Sequence, residues 1–137
     1  MHTNFVDADT ADFDAQTYLR ILVAIAKSDK ENGPPEYDYV RRQAQSLGLD
    51  FDHFIATTDK SFSIGLQKVS RLTALVILHD AIALASMDRN FSLPERQRVY
   101  GYAEKLDISR TDVDALEELV QQYRQLNQRW ETLVEKR

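Results

Sequence analysis

Cysteine is absent from the 137 residues, which excludes disulfides, zinc-thiolate sites and thiol catalysis. Glycine and proline are scarce, with 4 and 3 residues, and no Gly-rich phosphate loop can be built from them. With so few breakers, helix is the default reading. Long apolar runs are missing as well. The longest, residues 74–87, is interrupted by His79 and Asp80 and is too short and too polar to span a bilayer. The N-terminal residues carry no basic segment leading into an apolar one, so a cytoplasmic protein without membrane insertion is expected. Nor is there an excess of positive charge: 17 Lys and Arg face 22 Asp and Glu, a net charge of -5. Nucleic-acid binding needs a basic stripe that displaces counterions, and it is not expected here.

What the chain does have is a pattern that occurs twice. Asp29-Lys-Glu-Asn-Gly-Pro-Pro-Glu36 and Asp88-Arg-Asn-Phe-Ser-Leu-Pro-Glu95 each join an apolar run to a shorter amphipathic segment. At one ungapped offset, Leu19/Leu78, Ala24/Ala83, Asp29/Asp88, Pro35/Pro94, Glu36/Glu95, Val40/Val99, Ala44/Ala103 and Leu47/Leu106 are identical pairs. A register kept through a helix, a loop and a second helix argues for a duplicated helix-loop-helix unit, and two copies are too few for a solenoid.

Residues 1–14 hold Asp7, Asp9 and Asp12 with few bulky apolar groups and read as a flexible acidic arm. Residues 15–137 read as a single domain, of a size that buries roughly two-thirds of its unfolded surface. Asp14 caps a helix over 15–28 that is apolar nearly all round, as is a second helix over 71–87. Such helices are buried, and these two should pack on each other. Gly33, Pro34 and Pro35 open a helix over 34–47 that Gly48 ends. Ser92-Leu-Pro-Glu95 is a capping box that opens its counterpart, running to Leu106. Between the copies, 51–58 and 63–70 read as short helices. Ser109 opens a long last helix ending near Glu135, about 38 Å at ~1.5 Å per residue. The expected fold is all-α: a compact bundle of about seven helices with two pseudo-repeated helix-loop-helix units.

Ala24-Ile-Ala-Lys-Ser-Asp29, Glu36, Arg42-Gln-Ala-Gln-Ser-Leu-Gly-Leu49, Ala83-Leu-Ala-Ser-Met-Asp88 and Pro94-Glu95 together resemble the TerB tellurite-resistance family, which is related to the N-terminal domain of DjlA-type membrane co-chaperones. The likeness spans roughly residues 15–110 and leaves the last helix outside. It departs at the glycine after the family's aspartate, which is Lys30 and Arg89 here. The family's acidic loop is thinned to Glu31 plus Glu36 in one copy and to Glu95 in the other. The resemblance implies a compact helical stress-response protein that engages divalent cations and protein partners and has no known catalytic reaction.

Asp29, Glu36, Asp88 and Glu95 are the candidate ligands for a divalent cation (Ca, Mg, Mn or Zn), because hard cations take several carboxylate oxygens. Neither loop is an EF-hand, and helix capping by the two glutamates accounts for them without a ligand, which is the favoured reading. Capping does not explain why an aspartate ends both central helices, where the helix dipole disfavours negative charge. His79-Asp80 sets an imidazole beside a carboxylate. Helical neighbours point about 100 degrees apart and do not face each other, so polar groups satisfied inside a bundle are expected. Tyr37, Tyr39, Tyr100 and Tyr102 read as packing residues with wet hydroxyl edges, Tyr39 and Tyr102 differing in exposure from their partners.

The last helix carries Val113, Val120, Asn127 and Val134 on one heptad position and Leu116, Tyr123 and Trp130 on another. Leu119, Leu126 and Leu133 widen this stripe beyond a two-position seam, which suits a helix lying on a globular core. Packing is expected for its first half. For the second half a contact with a protein partner or a homodimer is expected, through Tyr123, Trp130 and Leu133. No nucleophile, base and oxyanion donor can be assembled, so the expected protein is a non-enzymatic domain. A dimeric accessory or scaffold subunit of a larger complex is the alternative.

Overall fold

The computed structural model describes residues 13–28, 33–59, 62–87 and 91–136. Among them lie α1 (Ala15–Ser28), α2 (Pro34–Ser46), α3 (Phe51–Thr57), α4 (Arg71–Ala85), α5 (Leu93–Lys105) and α6 (Arg110–Glu135), with one 3-10 turn at Ile64–Leu66 and no strand. The protein is all-α. The helix expected over 63–70 is reduced to that turn, and the reason is Ser70. Its hydroxyl caps α4 by accepting from the Thr73 N–H at 3.1 Å, which holds its own backbone extended. A chain that is extended at a cap cannot run helically through it.

The other helix starts follow from residues within one turn of each. Asp14 accepts from the Thr17 N–H at 3.1 Å, Asp50 from the Asp52 N–H at 3.1 Å and Ser109 from the Asp112 N–H at 3.2 Å. Each such cap contributes about 1 kcal/mol. At α2, Pro34 and Pro35 occupy the first turn and Glu36 reaches back to the Gly33 N–H at 2.8 Å. At α5, Ser92 accepts from the Glu95 N–H at 3.3 Å while Glu95 accepts from the Ser92 N–H at 3.0 Å. The ends of α2 and α5 are also built alike. Gly48 and Asp107 adopt positive φ, 70° and 61°, and the next residue of each, Leu49 or Ile108, donates its N–H back to Ala44 or Ala103 at 2.9 Å. This left-handed closure costs glycine nothing and is tolerated by aspartate better than by most side chains.

α1 and α4 form the centre. Tyr18, Leu19, Ile21 and Leu22 of α1 pack with Ile77, Leu78 and Ile82 of α4, all essentially buried. Each such side chain contributes about 1.5–3 kcal/mol relative to exposure. The Asp14 N–H donates to Thr73 Oγ1 at 3.0 Å, tying the two helix starts together. α2 and α3 lie against α1, and α5 and α6 lie against α4. Arg20 and Lys27 on α1 secure the carbonyl end of α3: Arg20 donates to Thr58 Oγ1 at 3.0 Å, and Lys27 donates to the Thr58 carbonyl at 2.7 Å and to that of Ile55. Cations there complement the helix dipole.

α6 runs beside α4. Arg71 pairs with Asp112 at 2.8 Å at one end, and at the other Arg124 donates to the Ser86 and Ala83 carbonyls at 2.7 and 3.1 Å. At ~1.5 Å per residue α4 is about 22 Å long and α6 about 39 Å. The last turns of α6 therefore run past the helix they pack on. Of the expected arm, only Phe13 and Asp14 lie within the described residues, and Phe13 packs against Tyr18 with ring centroids 5.3 Å apart. Among the described residues no helix is long and apolar enough to cross a membrane.

Candidate functional site

Of the four carboxylates expected to hold a cation, Asp29 and Asp88 lie outside the described residues. Glu36 and Glu95 each commit an oxygen to the N–H of the residue before their helix, at 2.8 and 3.0 Å, and Glu95 also accepts from the Ser92 hydroxyl at 2.7 Å. Among the described residues no group of three or more His, Asp and Glu is placed to hold a metal ion.

His79 and Asp80 are satisfied inside the bundle, as expected, but the tyrosine donors that satisfy Asp80 were not foreseen. Asp80 sits on the apolar α4 with 5% of its surface exposed. Its carboxylate accepts from the Tyr18 hydroxyl of α1, from the Tyr39 hydroxyl of α2 at 2.7 Å, and meets His79 Nδ1 at 2.9 Å. The expectation that His79 and Asp80 do not face each other is thus overturned: their polar ends meet although their Cα–Cβ directions diverge along the helix. Burial, then the charge and hydrogen bond of Asp80, holds the Tyr18 and Tyr39 hydroxyls well above the ordinary tyrosine range, so both remain donors. Among the described residues no buried side-chain nitrogen or oxygen lacks a partner. The cluster joins three helices through a satisfied carboxylate, a structural use of a buried charge. The available signal was a lone aspartate within an apolar helix, which demands donors from elsewhere.

The four tyrosines expected to differ in pairs do not: Tyr37, Tyr39, Tyr100 and Tyr102 are all half-buried. The hydroxyls of three diverge, Tyr39 to Asp80, Tyr37 to the Ala26 carbonyl at 3.4 Å and Tyr100 to Asp114.

On α6, Val113, Leu116 and Val120 are 1%, 9% and 4% exposed, whereas Leu119, Leu126, Trp130, Leu133 and Val134 are 48%, 43%, 51%, 64% and 63% exposed. The first half packs on the core. Leu119, in the first half, does not lie on it, contrary to expectation, because α4 and α5 offer their surface on the side of Val113, Leu116 and Val120; Leu126 and Leu133 belong to the second half, for which core packing was not expected. The exposed residues form a seam of their own. Leu119, Leu126, Trp130 and Leu133, together with the half-buried Tyr123, alternate spacings of four and three, the heptad rule. Leu126, Trp130 and Leu133 line one open recess together with Arg129 and Lys136. Within the packed half of α6, Arg96 of α5 lies over the Phe91 ring at 4.8 Å and forks onto Glu117, with one arm at 2.8 Å. This bidentate grip holds α5 to the first half of α6.

Fold and site define the class of an all-α domain with an apolar helical extension. Comparison with protein-family models, with curated proteins and with solved structures gives no match.

Proposed function

We propose that the chain is a non-catalytic, TerB-like interaction domain of a stress-response system, working through protein contacts made by the second half of α6. The observation that carries this reading is the exposed heptad seam around Leu126, Trp130 and Leu133. A contiguous apolar stripe of this kind on a domain with a complete core marks an interaction surface, and a tryptophan at its middle is the usual anchor of one. The resemblance of the two helix-loop-helix segments to the TerB pattern supports the stress-response assignment, and the matched caps of α2 and α5 support descent from a duplicated unit. A cytoplasmic setting belongs to the same reading. A dimeric accessory or scaffold subunit would use the same helix.

The test is mild purification from native cells, comparing the wild-type chain with the Leu126→Asp/Trp130→Asp variant. Loss of a native assembly by the variant, with its thermal unfolding unchanged, is the expected result. An assembly of the same size in both would overturn the proposal. Truncation after Gln125 should likewise lower the association state and leave a folded core; collapse of the fold would count against the separation of the two halves.

A further inference from the structure

Beside the apolar seam, α6 carries a row of exposed polar residues at helical spacings: Glu118, Gln122, Gln125, Arg129 and Lys136. The row is acidic toward its N-terminal end, amide in the middle and basic toward its C-terminal end. We infer that the seam is covered by α6 of a second copy of this chain, running antiparallel about a twofold axis near Gln125; this rests on the reading of α6 as an interface.

Turned end for end, the row is its own complement. Glu118 comes opposite Arg129, and the amides meet at the axis. In the same register Leu119 faces Trp130 and Tyr123 faces Leu126, each contact occurring twice, as an isologous interface requires. Leu133 comes over the small, exposed Ala115. A parallel pair would set acid on acid and base on base, which destabilises. A foreign acidic helix would satisfy Arg129 and Lys136 and be repelled by Glu118. A second copy satisfies both ends, and does so although the chain as a whole is acidic, with a net charge of -5. The bond already made by the acidic end leaves room for this. Glu118 accepts from Gln122 Nε2 at 3.2 Å, and its carboxylate has further acceptor sites for a cation.

Sedimentation equilibrium of the full chain should show a monomer-dimer equilibrium. Glu118→Lys or Arg129→Glu alone should weaken it about tenfold or more, and the two together should restore it, because the swapped charges again face opposite signs. The cysteine-free sequence allows single spin labels. Gln125→Cys should give the shortest label-to-label distance and Thr132→Cys one longer by on the order of 10 Å, given the rise per residue. A chain that is monomeric at all concentrations, a double variant as weak as the singles, or equal distances at the two labels would overturn the antiparallel pair. If the purified chain is monomeric while Leu126→Asp/Trp130→Asp still dissolves the native assembly, self-pairing alone fails. If that assembly is also untouched, the interface reading fails with it.

Discussion

Val113, Leu116 and Val120 in the first half of α6 and Leu126, Trp130 and Leu133 in the second recur at the same three- and four-residue spacings, yet the former are buried and the latter face solvent. Apolar periodicity determines which side chains share a face, and says nothing about whether a surface is there to receive it. For the first half the receiving surface is α4 and α5, ending where Arg124 reaches the last carbonyls of α4. Past that point Leu126, Trp130, Leu133 and Val134 are exposed among the described residues. Burial of the first half stabilises the domain, whereas covering the second half can stabilise only an assembly.

The contrast is sharpest in truncations. Leu116→Ala should cost about 2–5 kcal/mol of unfolding free energy, whereas Leu133→Ala should stay within about 0.5 kcal/mol, both measured by urea denaturation at concentrations below association. Equal losses would break the comparison. The next effect concerns the centre that the first half rests on. Tyr18→Phe removes a donor from buried Asp80 and should cost about 1–3 kcal/mol; a neutral result would mean that the carboxylate has found another partner.

The same tyrosines set an alkaline limit. Tyr18 and Tyr39 are raised above the ordinary value when folded, so in the unfolded chain they ionise first. Their contribution is complete below the ordinary tyrosine pKa of ~10 and is lost as pH rises beyond it. Denaturation midpoints should fall above about pH 10, in step with tyrosinate absorbance near 295 nm, and less steeply for Tyr18→Phe.

Smaller still are the caps. Ser92→Ala should cost about 1 kcal/mol. Glu36→Gln and Glu95→Gln should lower the melting temperature equally with and without calcium, magnesium, manganese or zinc; a loss seen only with one of these cations present would make the loops a cation site instead. The smallest effect belongs to the start of α6. Arg71 and the Ser109 hydroxyl hold the Asp112 carboxyl below the usual carboxylate range, but the pair is open to water. Arg71→Ala should leave melting unchanged at physiological salt. Any contribution at low salt is present above the ordinary aspartate pKa and disappears as pH falls through the lowered one.

Helix starts were legible because a cap and its partner lie within three residues: Asp14 with Thr17, Ser92 with Glu95, Ser109 with Asp112. The 63–70 segment was misread because Ser70 serves as the cap of α4, and that requirement outweighs continuation of a helix. The Asp80 cluster was not legible. Its hydroxyl donors come from residues 62 and 41 positions away, on helices whose docking no local pattern specifies.

By itself, the sequence determined where the helices begin, which faces are apolar and that α1 and α4 must be internal, because these follow from hydrogen bonds and side-chain spacing within one or two turns. Only the tertiary structure decided that Asp80 is satisfied by two tyrosines and a histidine, and that the apolar stripe of α6 is covered along one half alone. Those outcomes depend on the lengths and crossings of separate helices. α4 is shorter than α6, and what it does not reach stays exposed.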